Sequence, residues 1–313
     1  MNEKSISTPY TGLAKVKLFW ALSRTPHGLL DMATPAFAAL LWLGTFPSLY
    51  VTVLGLITTF AGYTSVYALN DVIDYRVDKE KLQRGGFQDS DNYLDGVMVR
   101  HPMAQGFLSF REGLMWSVAW GILAVIGAYL LNPACVVIFM SAAVLETIYC
   151  RMWRVSHLRT IVSGAVKTSG AIAAVFAVDP KPSPLFLFIL FLCLFFWEIG
   201  GQNIPADWTD IEEDQQFNAQ TIPVRFGLEW VNLIILGSII LALALNVILF
   251  LVSPVRFEFT YILASVGVGF YLLLLPALRL YKTRTRRDAM ALFNKASYYP
   301  AALLVVVTIK SVI

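Results

Sequence analysis

Cysteine, histidine and charge are all scarce in this chain. Three cysteines (Cys135, Cys150, Cys193) and three histidines (His27, His101, His157) occur in 313 residues. The cysteines fall in or beside apolar runs with no CxxC spacing, so they read as small core residues and exclude a disulfide framework or a zinc site. The histidines are too scattered in sequence to argue for a metal cage. Only 14% of residues are charged, against about a quarter in an average soluble protein. That shortage, with 57% hydrophobic residues, excludes an ordinary soluble domain. A nucleic-acid surface is also excluded, because the basic residues present are interleaved with acids rather than gathered in a patch.

What the chain has instead is long apolar runs. Stretches near 29–46, 50–70, 113–131, 134–150, 158–178, 184–204, 230–252, 259–281 and 297–313 are each long enough, as helices, to approach or cross a bilayer core of roughly 30 Å. Helix is the required state, since an isolated strand in lipid leaves its backbone polar groups unpaired. The expectation is one all-α polytopic domain over residues 1–313, with nine transmembrane helices. Residues 1–28 lack the compact apolar core and cleavage site of a signal peptide. With Lys15, Lys17, Phe19, Trp20 and Arg24 they suit an amphipathic arm on the membrane surface.

Charge orients the spans. All 24 Lys and Arg residues except Lys167, Lys181, Arg256 and Lys310 fall on one side: the N-terminal arm, the loops near 71–112, 151–159, 205–229 and 282–296, and the adjoining helix ends. Lys and Arg excess marks the cytoplasmic face, so the N-terminus and the loops 71–112 and 205–229 are expected there, with a bacterial inner membrane as the expected setting.

The same face carries an acidic pattern twice. "NDVIDYRVD" places Asp71, Asp74 and Asp78 at spacings of three and four; "NIPADWTDIEED" repeats those spacings in Asp207, Asp210 and Asp214. On a helix such spacing stacks carboxylates on one face, where like charges repel. A solvated loop would account for one such cluster; two matched copies on one side point to a shared hard cation. Magnesium takes oxygen ligands and is typically held by one or two carboxylates together with substrate phosphates. Asn70 and Asn203 stand beside the two sets. Three acids lie in apolar sequence. Asp31, near the start of the first span, suits either an acceptor-orienting or proton-accepting role or a helix cap. Glu146 and Glu198 are expected to pair with Arg154 or Lys167. Lys167 is the one cation well inside a span, and an unpaired charge there is costly; it reads as a diphosphate contact or as a side chain that snorkels to headgroups.

N-D-x-x-D-x-x-x-D after the second span, with D-x-x-D-x-x-x-D after the sixth, resembles the UbiA-type superfamily of intramembrane prenyltransferases, the 4-hydroxybenzoate polyprenyltransferases among them. "PHGLLDMATP", "HPMAQGFLS", "YCRMWRVSHL" and "QTIPVRFG" resemble further family segments, so the likeness touches most of the chain. The resemblance implies nine helices around a central cavity, and Mg2+ held by Asp71, Asp74, Asp78, Asp207, Asp210 and Asp214. It also implies a prenyl diphosphate bound with help from Asn70, Asn203, Tyr149, Arg154, Lys167 and Arg100. Asp71, Asp74, Asp207, Asp210 and Asp31 are the expected catalytic residues, and a hydrophobic or aromatic acceptor, such as a quinone precursor, is the expected second substrate. The chain departs from the family pattern at His101, where Arg is usual, at Trp153, where Lys is frequent, and in "LQRGGFQDSDNYLDG", which lengthens one loop. That loop is expected to act as a lid over the cavity. Two other functions use the same features: an intramembrane terpene cyclase, and a divalent-cation transporter. Transporters tend to place such acids near the bilayer midplane, whereas both clusters here lie at one face.

Overall fold

The computed structural model describes residues 11–84, 96 and 98–312, all of them in helices, turns or irregular connections with no strand. The expected lid segment, 84–95, lies outside the described residues except for Arg84. Helix α1 (Leu13–Leu22) precedes α2 (Thr25–Asp31) and α3 (Ala33–Leu43); α4 (Leu49–Arg84), α5 (Phe110–Leu131), α6 (Pro133–Arg151) and α7 (Arg159–Val178) follow. Then come α8 (Pro184–Trp197), α9 (Ile204–Thr209), α10 (Ile211–Gln216), α11 (Ile222–Val252), α12 (Phe259–Gly269), α13 (Leu275–Thr283), α14 (Arg286–Ser297) and α15 (Tyr299–Val312).

Eight continuous helical stretches among the described residues are long and apolar enough to cross a membrane. The ninth expected span, 29–46, is α2 and α3, two short helices that meet at Met32. Many large apolar side chains on the outside are exposed, including Ile122, Ile126, Val137 and Leu251. In water such a surface would aggregate; in lipid it is the expected exterior. The helices close a ring: α4 packs on α5 and α6, α6 on α7, α7 on α8 and α3, α8 on α11, and α12 on α15, which returns to α3.

Local sequence explains several ends and breaks. Ser109 and Glu112 form a reciprocal capping box at the start of α5, which satisfies two otherwise unpaired backbone donors. Asn132 ends α5 and caps α6 by accepting from the Ala134 amide at 2.9 Å, making a tight antiparallel hairpin. Between α8 and α9 the chain widens into a π-turn, Glu198–Asn203, and a second one, Phe270–Leu274, precedes α13. In both places a proline follows two residues later (Pro205, Pro276). Proline supplies no amide donor to the preceding turn, and the wider turn accommodates the loss. Wide turns of this kind frequently occur at functional sites.

Gly200, within the first π-turn, lets α11 approach closely. A Cβ there would lie 2.8 Å from Ser238 Cβ and 2.9 Å from the Ile235 carbonyl oxygen. Backbone cannot swing aside as a side chain can, so Gly200→Ala is expected to destabilise the fold by about 1–3 kcal/mol. The check is thermal unfolding in detergent, where an unchanged apparent Tm would refute this packing.

Candidate active site

A cavity of about 1090 Å³ runs through the ring. Its polar end gathers Asp71, Asp74 and Asp78 from α4 with Asp207, Asp210 and Asp214 from α9, α10 and the turn between them. The repeated spacing therefore has a structural counterpart: both acidic sets face one space. α4 is 36 residues long, about 54 Å at the usual helical rise. It continues well past the apolar run 50–70, which is how its acidic face reaches the cavity mouth.

Cations knit this end together. Arg24 Nη2 donates to Asn70 Oδ1 and Asp71 Oδ1, each at 3.2 Å. His101 Nδ1 lies 3.3 Å from Asp71 Oδ1 and 2.9 Å from Asp78 Oδ2. Its neighbour Arg100 reaches the other set, with Nη2 3.6 Å from Asp210 Oδ2. Lys81 Nζ, from the end of α4, lies 2.8 Å from Glu213 Oε1 on α10. Burial disfavours charge on His101, but the Asp71 and Asp78 carboxylates outweigh it and lift the imidazole to about 9.

Asp214 is the most fully engaged of the six. Trp153 Nε1 donates to its Oδ1 at 3.2 Å and Thr221 Oγ1 to its Oδ2 at 2.9 Å. Burial raises its carboxyl to about 6, against the Thr221 hydroxyl, which favours the ionised form. Asp207 is less satisfied: its buried Oδ2 has no hydrogen-bond partner among the described residues, and neither has Asn203 Oδ1. Opposite in sign, buried Arg159 leaves Nε and Nη1 without hydrogen-bond partners among the described residues. Its Nη1 is 4.0 Å from Asp207 Oδ1, and its guanidinium sits 4.2 Å from the centre of the Tyr149 ring. The Tyr149 hydroxyl accepts from Asn203 Nδ2 at 3.1 Å.

Deeper in, Lys167 Nζ donates to Asp31 Oδ2 at 2.6 Å and to the Tyr67 hydroxyl at 2.9 Å, and lies 3.4 Å from His27 Nε2. Tyr67 also donates to Asp31 through a short contact. Lys167 lines the cavity, whereas Asp31 stands behind the wall as its counter-ion. Glu198 accepts from Ser163 Oγ at 2.8 Å and leaves Oε2 without a hydrogen-bond partner among the described residues. Glu146 accepts from Asn70 Nδ2 at 2.7 Å. The expected pairing of these two glutamates with Arg154 or Lys167 is thus replaced by contacts to neutral donors. Beyond this layer the wall turns apolar, with Pro35, Ala39, Leu56, Phe139, Ala173 and Leu304 among its residues.

The structure brings Asn70, Asn203, Tyr149, Lys167, Arg100 and the six aspartates to one cavity. It does not bring Arg154, which points to Glu80 Oε2 at 2.9 Å beside a small surface pocket. Arg159 and Lys81 also line the cavity without having been singled out by the sequence, Arg24 joins them from the arm expected on the membrane surface, and Glu198, expected only as a partner of Arg154 or Lys167, lines it too. Arg159 had a signal: Arg159, Ser163, Val166, Lys167 and Gly170 recur at helical spacing along α7 and all line the cavity.

These features define an all-helical membrane protein whose internal cavity has a carboxylate-rich polar end and an apolar body. The UbiA prenyltransferase family profile matches residues 32–299, and the chain belongs to that family. It is 24% identical over 215 residues to digeranylgeranylglyceryl phosphate synthase of Thermococcus sibiricus, covering 69% of this chain and 70% of that one. To protoheme IX farnesyltransferase of Ruthia magnifica it is 24% identical, covering 61% of this chain and 64% of the relative. To 4-hydroxybenzoate octaprenyltransferase of an Enterobacter species it is 25% identical, covering 58% and 63%. The matched stretch thus spans about two thirds of each relative's length. Among solved structures, an apo UbiA homologue from Aeropyrum pernix superposes with a TM-score of 0.70 at 18% identity, covering 90% of this chain and 97% of that one. A UbiA homologue from Archaeoglobus fulgidus bound to GPP and Mg2+ gives 0.66 at 17% identity, covering 93% and 99%.

Proposed function

We propose that this protein transfers a prenyl group from a prenyl diphosphate to a hydrophobic or aromatic acceptor within the membrane, with Mg2+ as cofactor. The observation that carries the reading is the pairing of unmet needs at one place. Buried acceptor atoms on Asp207 and Asn203 and buried donor atoms on Arg159 lack hydrogen-bond partners among the described residues beside the same polar end. A buried polar atom left unpaired destabilises a fold, and a divalent cation together with a diphosphate would satisfy both kinds. The donor set fits the ion, being mostly carboxylate oxygen as magnesium prefers. Asp71, Asp74 and Asp78 in the first set and Asp207 and Asp210 in the second would hold divalent cations, the all-oxygen second set being the one that suits Mg2+; Asp214, engaged on both oxygens, braces it. When bound, Mg2+ would offset the charge that builds on the leaving diphosphate.

The chain's own groups do the rest. Arg159, Arg24, Arg100 and Lys167 place positive charge where the departing diphosphate gains negative charge. Asn203 holds Tyr149 beneath the Arg159 guanidinium, fixing its direction. The apolar body accommodates the isoprenoid tail and keeps water from an allylic cation. Tyr63, Tyr67 and Phe139 line that body and offer ring faces to such a cation. With an aromatic acceptor, Glu198 Oε2 is the carboxylate oxygen on the wall placed to take the released proton.

The bundle sits in the membrane with its aspartate end on the cytoplasmic side, an orientation supported by the Lys and Arg distribution. Purified protein incubated with Mg2+, labelled prenyl diphosphates and a panel of aromatic and lipid acceptors is expected to yield a prenylated acceptor. A cyclised hydrocarbon formed without acceptor would establish the cyclase instead. Neither product, with only divalent-ion flux into proteoliposomes, would establish a transporter.

A further inference from the structure

The two aspartate sets differ in chemistry. Around Asp207, Asp210 and Asp214 the cavity offers carboxylate and amide oxygens. At Asp71 and Asp78 a ring nitrogen joins them: one ligand atom each from Asp71, Asp78 and His101 all lie within 4.8 Å of one another. A six-coordinate ion with bonds of about 2.1 Å has adjacent ligands about 3 Å apart and opposite ligands about 4.2 Å apart. His101 Nδ1 is already at 2.9 and 3.3 Å from the two carboxylate oxygens, so little movement would turn this cluster into a coordination shell.

The backbone holds the ring there deliberately. His101 has φ +49°, a left-handed conformation that few residues other than glycine adopt. The turn that follows is closed by the Gln105 amide donating to the His101 carbonyl at 3.2 Å. An arginine at this position would supply charge but no ligand, since a guanidinium has donors only. Imidazole supplies a nitrogen ligand that suits first-row transition ions, whereas magnesium selects oxygen.

We propose that Asp71, Asp78 and His101 form a two-carboxylate, one-imidazole site that takes a first-row transition divalent cation, Mn2+ being the representative, in preference to Mg2+. The second, all-oxygen set is left to Mg2+. This rests on the reading above that both sets hold metal. Ligation uses the neutral ring, so a protonated His101 would release its proton as the ion enters.

The test uses the purified full chain in detergent, loaded with Mn2+ alone and read by pulsed electron paramagnetic resonance. Bound Mn2+ is expected to show nitrogen hyperfine coupling, and His101→Arg and His101→Ala are expected to abolish it. Both variants should also lose at least about tenfold in Mn2+ affinity, with Mg2+ affinity little changed. His101→Arg keeps the positive charge beside the carboxylates, so it guards against loss of folding, and the wild-type spectrum is informative alone. Mn2+ bound without nitrogen coupling, or coupling that survives His101→Arg, overturns the site while leaving the metal-dependent reading standing. Absence of any divalent binding, with prenyl transfer proceeding in chelator, overturns that reading as well.

Discussion

Asp207→Asn is expected to lower prenyl transfer at least about a hundredfold while leaving the protein folded and in the membrane. The substitution keeps the volume and one oxygen but removes the charge, so it separates electrostatics from packing. Asp207 is buried, with no hydrogen-bond partner for Oδ2 among the described residues, which means little hydrogen bonding is lost with the charge. Asp71→Asn should fall by a similar factor, although there Arg24 and His101 lose a counter-ion as well. Initial rates at saturating Mg2+ and donor, with protein amount matched by quantitative blotting, are the measurement. Activity within a few-fold of wild type in both variants would dispose of a site shared between the two aspartate sets.

The second large effect belongs to an arginine that spacing alone did not single out. Arg159→Ala is expected to remove about 1.5–3 kcal/mol of charged hydrogen bonding to the diphosphate, or roughly 10- to 150-fold in kcat/KM for the donor. Arg159→Lys should recover part of it, because lysine restores the charge without the fork. Arg154→Ala, by contrast, breaks an exposed pair with Glu80. Such pairs contribute little, so donor KM and turnover should stay within about twofold of wild type. Titrating the donor at fixed acceptor separates the two. If Arg154→Ala is the damaging change and Arg159→Ala is mild, the diphosphate lies nearer the surface than the cavity geometry indicates.

The contrast between these arginines shows what sequence made legible. Apolar run length revealed the spans because bilayer thickness imposes it directly, and the paired aspartates stood out because a helix gains nothing by stacking like charges unless something neutralises them. Arg159 shares the helical spacing of the α7 residues that line the cavity, but at the boundary of an apolar run it looks like any orienting arginine, and only the packing of α7 against α6 sets it over the Tyr149 ring. Arg154 matched a pattern in line with the resemblance, yet the turn after α6 directs it outward. Asp31 and Lys167 were each read singly, being far apart in the chain, whereas in the fold they are one ion pair in the wall. The first span reads as one helix because hydropathy does not register the break at Met32, and Pro205 alone marks the π-turn at Glu198–Asn203.

Arg100 and His101 are consecutive residues, yet one reaches Asp210 and the other Asp71 and Asp78. A single peptide unit therefore acts as a staple across the two arms of the cavity mouth, anchored downstream by the turn at Gln105 and Gly106. Deleting His101 alone would remove one end of the staple and uncouple the two aspartate sets.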